Sequence, residues 1–449
     1  MHSDTFARYA ASNVPRYTSY PTAPAFSPAV GEDAYRVWLA TLDGGSDASV
    51  YIHVPFCRSM CLYCGCHTTI TRRDEPIERY LAALSREIEL VRAATPAAPR
   101  IDHLHFGGGS PTLIPPARMA ELMAKLDRLF GFAMNADVAI EVDPRTLTEE
   151  MAGVLGACGV TRASIGVQCF DPIVQRAIKR VQSFETTEAA VRLLRWAGIE
   201  RFNVDLIYGL PHQTVSTCEE TVEQALELRP DRFAVFGYAH VPDFKLHQRR
   251  LDPGALPGFA ARLEQASAIG DALRRAGYVE IGLDHYALPD DPLARAWRAG
   301  TLRRNFQGYT TDSADTLIGL GSSSIGRMKQ GFVQNAVLIS DYLKRVAENH
   351  LPVARGYALT EEDTVRAAII ERIMCDRAVD VAAVCSRFAW DPDRVIDQER
   401  IATLLADGLI RKSGAVIEVT EPAHPLVRSV AAAFDGQLAE NRQRYSRAV

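Results

Sequence analysis

Between residues 49 and 237, short apolar runs alternate with longer stretches in which apolar residues return every three or four positions. The runs 49–54, 101–106, 137–142, 162–167, 202–207 and 232–237 read as buried strands, with a further one around 279–284. The clearest intervening helix puts Ile77, Tyr80, Leu81, Leu84, Ile88 and Val91 on one face. Strands alternating with helices predict a parallel sheet, and six or more such units predict an incomplete TIM-like barrel, α/β in class and of (β/α)6 type. The pattern changes from Thr360. A helix opens there with Asp363 in the capping-box position, helical patterns follow over 378–388 and 393–406, and 409–420 reads as a hairpin turning at Ser413-Gly414 before a last helix. The expected division is an N-terminal arm over 1–45, a barrel over 46–355 and a mainly helical, winged-helix-like cap over 356–449.

Chemistry in parallel α/β sheets gathers at the C-terminal strand ends. The polar and glycine signals fall there: Cys57 onward, Gly107-Gly108-Gly109-Ser110, Glu141 and Asp143, Gln168, Asp205, and Tyr238-Ala239-His240. The most specific is YIHVPFCRSMCLYCGCH at 51–67, which sets Cys57, Cys61 and Cys64 in a C-x3-C-x2-C array with Cys66 two residues on. Three thiolates on one irregular loop can hold a soft metal centre, as an iron–sulfur cluster or an all-cysteine zinc site. Structural zinc usually takes two separated ligand pairs, and Cys64-Gly65-Cys66 is awkward for one tetrahedron. A [4Fe–4S] cluster on three cysteines would leave one iron open.

Composition narrows the partners. With 47% hydrophobic and 23% charged residues, 449 residues can bury a large core, and a net charge of −5 gives no reason to expect nucleic acid. The wing is acidic too, with 12 Lys+Arg against 15 Asp+Glu over 360–449. No apolar run approaches the roughly 20 residues that span a bilayer. Nothing before the cysteine motif resembles a signal peptide, so a reduced, soluble, cytoplasmic protein is expected, and a disulfide is unsupported. Cys158, Cys169, Cys218, Cys375 and Cys385 read as small buried residues.

The cysteine array at the end of a first strand resembles the radical S-adenosylmethionine (SAM) superfamily. The wider stretch, with Tyr51 and the extra Cys66, resembles its oxygen-independent coproporphyrinogen III oxidases, also called coproporphyrinogen dehydrogenases. PRYTSYPTA at 15–23 and RNFQGYTT at 304–311 match that family as well, so the resemblance runs from Pro15 to the final helix. Two positions depart from the family's usual pattern: His67 stands where Asn commonly follows the fourth cysteine, and Cys169 where Asp commonly follows Gln168.

The resemblance implies a radical SAM barrel whose [4Fe–4S] cluster sits on Cys57, Cys61 and Cys64. It implies SAM contacts at Tyr51, Gly108, Gly109, Ser110, Glu141, Gln168, Arg180, Asp205 and Ala239, and a second SAM held with the help of Gln307 and Ile325. Tyr51 and Cys66 are the candidate catalytic residues. The arm at 15–23 becomes a candidate lid, although tyrosines near prolines also simply pack linkers. The implied reaction turns two propionates of coproporphyrinogen III into vinyl groups, giving protoporphyrinogen IX and two CO2. Reductive cleavage of SAM would supply the radical that removes a β-hydrogen, an electron donor such as a flavodoxin or ferredoxin would feed the cluster, and an unidentified acceptor would take the last electron. Arg16, Arg303, Arg304 and Arg327 are candidates for the substrate carboxylates. Nothing demands more than a monomer.

His53, His103 and His105 read as packed rather than catalytic, and Asp284-His285-Tyr286 as a substrate-side element. The rivals are a haem chaperone, a zinc or ferredoxin-like carrier, and a radical SAM enzyme acting on another tetrapyrrole. The chaperone branch typically lacks the fourth cysteine, the Pro15 arm and the 304–311 run, all present here. The carrier leaves the strand-end residues unexplained.

Overall fold

All six expected strands form: β1 (Asp47–Val54), β2 (Arg100–Gly108), β3 (Phe132–Val142), β4 (Arg162–Gln168), β5 (Arg201–Tyr208) and β6 (Arg232–Gly237). They lie side by side in chain order, every adjacent pair parallel. The computed structural model describes residues 3–438. Beyond the six, β7 (Leu317–Leu320) pairs parallel with the outer edge of β1, then β8 (Ile325–Met328) and β9 (Gly331–Asn335) continue antiparallel. Helices return the chain between strands: α1 (Glu75–Ala94), α2 (Pro116–Phe130), α3 (Glu149–Ala157), α4 (Phe184–Trp196) and α5 (Val215–Glu227).

The chain divides into two compact units, and neither is continuous in sequence. One holds Ser27–Tyr278 with Ala314–Gly356; the other holds Met1–Phe26, Val279–Ser313 and Tyr357–Val449. The expected cut at 355/356 lies one residue from the observed one. Segment 279–313, expected in the barrel, clusters with the two termini instead.

In the barrel unit the apolar period of α1 does what it predicts. Ile77, Tyr80, Leu81, Leu84, Ile88 and Val91 are all buried, each large apolar side chain contributing about 1.5–3 kcal/mol. The same face also buries Glu87, which no apolar pattern signals. Its carboxylate accepts from the Gly321 amide (2.7 Å), the Tyr342 hydroxyl (2.7 Å) and Asn335 Nδ2 (2.6 Å). Tyr80, two turns earlier, donates to the His53 carbonyl (2.8 Å) and accepts from the Ser322 amide (2.8 Å). Gly321 sits at φ +89, and a Cβ there would meet the His53 carbonyl and the Tyr80 hydroxyl at 2.5 Å. Thus α1 pins the turn after β7 to the end of β1.

In the other unit, sequence expectation and structure part in several places. The run at 279–284 is a three-residue strand, Val279–Ile281, that pairs antiparallel with His285–Ala287. The chain reverses at Gly282 because its φ is +59 and the Tyr309 ring fills the space of a Cβ. Segment 378–388 begins as a strand, Ala378–Asp380, and only then becomes a helix, Val381–Ser386, capped by Asp380. Segment 393–406 is a helix only from Gln398 to Ala406, capped by Asp397. The hairpin pairs Ser413 with Val416, so it turns at Gly414-Ala415 rather than Ser413-Gly414, and Ala378–Asp380 adds a third strand. The capping box at Thr360 and Asp363 forms as expected.

The Pro15 stretch is packed rather than free. Tyr17 and Tyr20 are buried; Tyr17 donates to Asp435 (2.9 Å), Tyr20 accepts from the Gly436 amide (3.1 Å), and Arg428 holds the carbonyls of Val14 (2.8 Å) and Pro15 (3.1 Å).

Glu87 gives this scaffold a pH signature. Burial raises its pKa from the ordinary 4.5 to about 7, outweighing its three donors. Between those values the folded protein holds a proton that the unfolded chain has released, so this contribution favours folding more as pH falls. The melting temperature of the wild type minus that of Glu87→Gln is expected to rise between about pH 7.5 and about pH 5. A difference that does not change over that interval would sink the assignment. Glu87→Ala should cost about 2–3 kcal/mol by leaving buried donors unpaired.

Candidate cofactor and cluster site

The cysteine loop leaves β1 and is gripped along its whole length. Its first residues form a two-residue strand, Phe56–Cys57, parallel to Thr69–Ile70. The amides of Thr69 and Thr71 reach the carbonyls of Pro55 (2.7 Å) and Cys57 (3.0 Å). On the other side the glycine turn after β2 continues the pairing: the Gly109 amide donates to Val54 O (2.9 Å) and the Ser110 amide to Phe56 O (2.7 Å). A Cβ on Gly109 would lie 2.4 Å from the Phe56 carbonyl oxygen, and one on Gly108 would lie 2.6 Å from the His53 ring. Glycine is required here by close approach. Further on, the Leu62 amide donates to Ile178 O (2.9 Å), while Gln248, His247 and Lys245 reach the carbonyls of Tyr63 (3.1 Å), Cys64 (2.8 Å) and Cys66 (3.0 Å).

The three thiols sit in donor-rich surroundings. Cys57 Sγ accepts from Thr68 (3.2 Å) and Ser110 (3.7 Å), although burial still raises its pKa. Cys61 Sγ faces two guanidiniums, Arg145 and Arg180, each at 3.7 Å. Cys64 is lowered to about 6 by hydrogen bonds from the Cys66 thiol and amide, and Cys66, donating to Cys64, is raised well above its ordinary value. At Cys64 the Lys245 and Arg180 charges and the hydrogen bonds from Cys66 favour thiolate, the form that binds metal. None of the nine cysteines is in a disulfide. Among the described residues no three His, Cys, Asp or Glu side chains form a ligand set for one metal ion. A four-iron cluster asks for something different, thiolates spread over separate irons, and the donor set of Cys57, Cys61 and Cys64 suits one.

Beside the loop, Tyr51 and His53 form a relay with one tautomer. His53 Nε2 lies 2.9 Å from the His67 carbonyl, which can only accept, so Nε2 carries the proton. Nδ1 then accepts from the Tyr51 hydroxyl at 3.0 Å. Burial keeps His53 neutral by lowering its pKa, and burial with the Glu141 charge raises Tyr51 well above its ordinary value. Because His67 acts through its carbonyl, this contact does not depend on the His67 side chain. Glu141 accepts from the Gly108 amide (3.1 Å) and stands 3.5 Å from His105. Asp205 is held by Asn203 (2.7 Å) and Ser164 (3.2 Å), yet burial and the nearby Glu141 raise it to about 7. Such a carboxylate pair calls for hydroxyl or ammonium donors.

Gln168 takes a left-handed conformation, φ +70, at an irregularity between β4 and β5. Arg180 donates to the Gly166 carbonyl (2.7 Å) and lies 3.7 Å from Asp143. Arg145 makes the tighter pair with Asp143 at 2.6 Å, and against the upward pull of burial these partners keep Asp143 below its ordinary value. The Cys169 departure is a packing change: its buried thiol accepts from the Asp171 amide (3.4 Å) and contacts Thr221 Oγ1 (3.5 Å). Ala239 follows β6, with its carbonyl 3.3 Å from Gln248. Ile325 begins β8, where its backbone packs 2.7 Å from the Cβ position of Gly319, the β7 partner of Tyr51.

Gln307 belongs to the other unit, at the tip of a hairpin of Arg303–Asn305 and Gly308–Thr310. In that unit Arg303 pairs with Glu371 (3.1 Å) and His285 with Asp284 (2.6 Å). Arg304 lies over the Tyr309 ring at 4.3 Å. Arg327 is on β8, paired with Leu317. His103 neighbours Asp102 (3.0 Å).

Sequence reasoning missed Arg145, Thr68 and the Lys245-His247-Gln248 grip. Arg145 had a legible signal, a basic residue two positions after the strand-end Asp143; the grip comes from a segment nearly 200 residues from the loop and had none. The glycine clasp is testable. Gly109→Ala must push the Phe56 backbone aside at a cost of about 1–3 kcal/mol. It is expected to lower iron and sulfide retention after anaerobic reconstitution while far-UV circular dichroism stays as in the wild type. Full cluster content in the variant would show the clasp to be dispensable.

Residues 51–225 match the model of the radical SAM superfamily. The oxygen-independent coproporphyrinogen III oxidase of Bradyrhizobium diazoefficiens is 52% identical over 450 residues, covering 100% of both chains. That of Pseudomonas aeruginosa is 39% identical, covering 100% of this chain and 98% of its own. The solved coproporphyrinogen III oxidase of Escherichia coli, described as a radical SAM enzyme, superposes with a TM-score of 0.90 at 37% identity, covering 94% of this chain and 98% of its own. With identity of this order along the entire length, the chain belongs to the oxygen-independent coproporphyrinogen III oxidase family of the radical SAM superfamily.

Proposed function

We propose that this protein carries out the oxidative decarboxylation of coproporphyrinogen III to protoporphyrinogen IX, converting two propionates to vinyl groups with loss of two CO2. The observation that carries the reading is the cysteine loop itself, three thiols held in electropositive surroundings against a glycine turn. Cys57, Cys61 and Cys64 would hold the [4Fe–4S] cluster. When bound, cluster and SAM supply the radical chemistry that the protein's side chains lack.

The chain's own groups bind and orient. Glycines 107–109 let Glu141, the His53 ring and the Phe56 backbone close in on the turn, since any Cβ there would collide with them, and Glu141 held against that turn is the proposed acceptor for a ligand amino group. Glu141 and Asp205 offer acceptors to ribose hydroxyls or ammonium, and a hydroxyl donor relieves the burial that raises Asp205. Arg180, whose buried Nε has no hydrogen-bond partner, keeps a donor for a carboxylate. Gly108, Gly109, Ser110, Gln168, Ala239 and Ile325 complete the proposed contacts. Tyr51, its proton turned toward His53, presents oxygen lone pairs to the site. Cys66 stands next to Cys64 as the second proposed catalytic residue.

Of the four arginines considered for the propionates, Arg304 has the best claim. It is buried, and its Nε and Nη1 lack hydrogen-bond partners. Arg303 is already neutralised by Glu371. Two SAM molecules are consumed, one per propionate, with Gln307 as a proposed contact of the second. A small electron carrier and an external acceptor complete the cycle, in a reducing cytoplasm, and one chain supplies every residue named. No helix of the described residues is long and apolar enough to cross a membrane.

The test is anaerobic turnover of the reconstituted protein with coproporphyrinogen III, SAM, dithionite and an added electron acceptor. Protoporphyrin, scored after oxidation, should appear with about two 5′-deoxyadenosines per product, as one cofactor per decarboxylation requires. Cys61→Ser should make neither. Deoxyadenosine without protoporphyrin would reject this substrate or acceptor, and neither product from a fully loaded protein would favour a haem-binding role.

A further inference from the structure

Two segments lie against the outer side of the cysteine loop, and both carry charge opposite to the chain's. Segment 172–181 meets it through the Leu62–Ile178 backbone bond. Segment 244–251 meets it through Lys245, His247 and Gln248. Beneath, Leu62, Val174, Ile178 and Leu251 share one buried cluster with Tyr63 packed against it. The two segments hold six Lys or Arg and no Asp or Glu, within a chain of net charge −5. Arg180 faces Cys61; Arg176, Lys179, Arg249 and Arg250 are exposed. The adjacent acids are occupied, Asp171 capping the following helix and Asp243 paired with Arg249 at 3.3 Å.

Large apolar side chains stand out among these cations. Phe244 is 74% exposed, Val181 68%, Leu246 64% and Ile173 56%. In segment 244–248 Phe244 and Leu246 are exposed while Lys245, His247 and Gln248 turn back to the loop carbonyls. Exposed aromatic and aliphatic residues ringed by one sign of charge mark an interaction site, with apolar contact for affinity and charge for steering.

We propose that this rim is the docking surface for a small acidic one-electron carrier protein. The proposal rests on the function argued above, which requires such a donor. The bound carrier would give up one electron to the cysteine-held centre and leave oxidised by one electron, with no bond made or broken. The Cys64-Gly65-Cys66 backbone, gripped by Lys245 and His247, lies between rim and thiols and makes the path short. A basic rim selects an acidic partner that the rest of this acidic chain repels, and a small apolar patch suits a complex that must dissociate after each electron.

The test measures binding directly. Purified flavodoxin, an acidic carrier, is titrated into the reconstituted protein by calorimetry at about 20 and about 200 mM salt, conditions across which screening of surface charge changes strongly. The wild type should bind, at least about tenfold more weakly at the higher salt. Phe244→Asp with Leu246→Asp, and separately Arg249→Glu with Arg250→Glu, should each weaken low-salt binding by about tenfold or more. Melting temperature and iron content should stay as in the wild type for the arginine pair. With dithionite as reductant both variants should make protoporphyrin at the wild-type rate, and with reduced flavodoxin they should be slow. No binding by the wild type, or unchanged binding by the arginine pair, would overturn the proposal. So would self-association of the wild type that the same substitutions abolish, which would give the face to a second copy. A wild type silent with dithionite would instead reject the proposed reaction, so the two failures are told apart.

Discussion

The site depends on two backbone hydrogen bonds that run past the end of a sheet. The amides of Gly109 and Ser110 reach Val54 and Phe56, so the parallel pairing of β1 and β2 does not stop where the strands do. A loop bearing three cysteines has only the two-residue strand Phe56–Cys57 as regular structure of its own. Tying its first residues to a neighbouring strand end transfers the order of the sheet to Cys57. The condition is steric, for the two backbones approach closely enough that only glycine fits at 109. The same lack of side chains lets the Glu141 carboxylate come against Gly107, where a Cβ would lie 2.8 Å from its oxygen.

Charge follows from the same arrangement. Bringing Cys57, Cys61 and Cys64 together concentrates negative charge, and the strand ends supply what offsets it. Arg145 and Arg180 converge on Cys61 from the ends of different β-α units, both tethered to Asp143, which keeps them oriented without a sulfur partner. On the other side Glu141 and Asp205 form an acidic pair, and burial with the Glu141 charge raises Asp205 to about 7, outweighing its two donors and the Arg180 charge. The cationic half suits thiolates and a carboxylate; the acidic half suits an ammonium and hydroxyls. A zwitterionic amino acid joined to a sugar matches both halves at once.

Much of this was legible in the sequence, and the reasons differ by residue. The six strands show because each holds a short apolar-rich run in which no residue is exposed, and α1 shows because its period is uninterrupted. The strand-end rule located Glu141, Asp205 and Gly108 before any geometry. What stayed hidden is non-local. Nothing near Val279 signals that Tyr309 will occupy the space beside Gly282 and reverse the chain, so a short hairpin arm reads as a parallel strand. Ala378–Asp380 reads as helix because its strand character comes only from pairing with Val416–Val419. Tyr17 and Tyr20 read as a loose arm because their partners, Asp435 and Gly436, are more than 400 residues away.

Glu87 shows why the scaffold beneath a reactive loop is built with polar groups. An apolar residue at its place on α1 would bury more surface and cost less. It could not, however, hold the Gly321 amide, Asn335 and Tyr342 at once, and those three fix the turn between β7 and β8. That turn abuts the His53 carbonyl, and the His53 ring orients Tyr51. The carboxylate has no cation among its partners, so its charge is offset only by neutral donors of fixed direction. Direction is what a salt bridge to a long, flexible lysine would not supply. The stability lost by burying an acid is thus the cost of placing one tyrosine hydroxyl within a narrow range beside the cysteine loop.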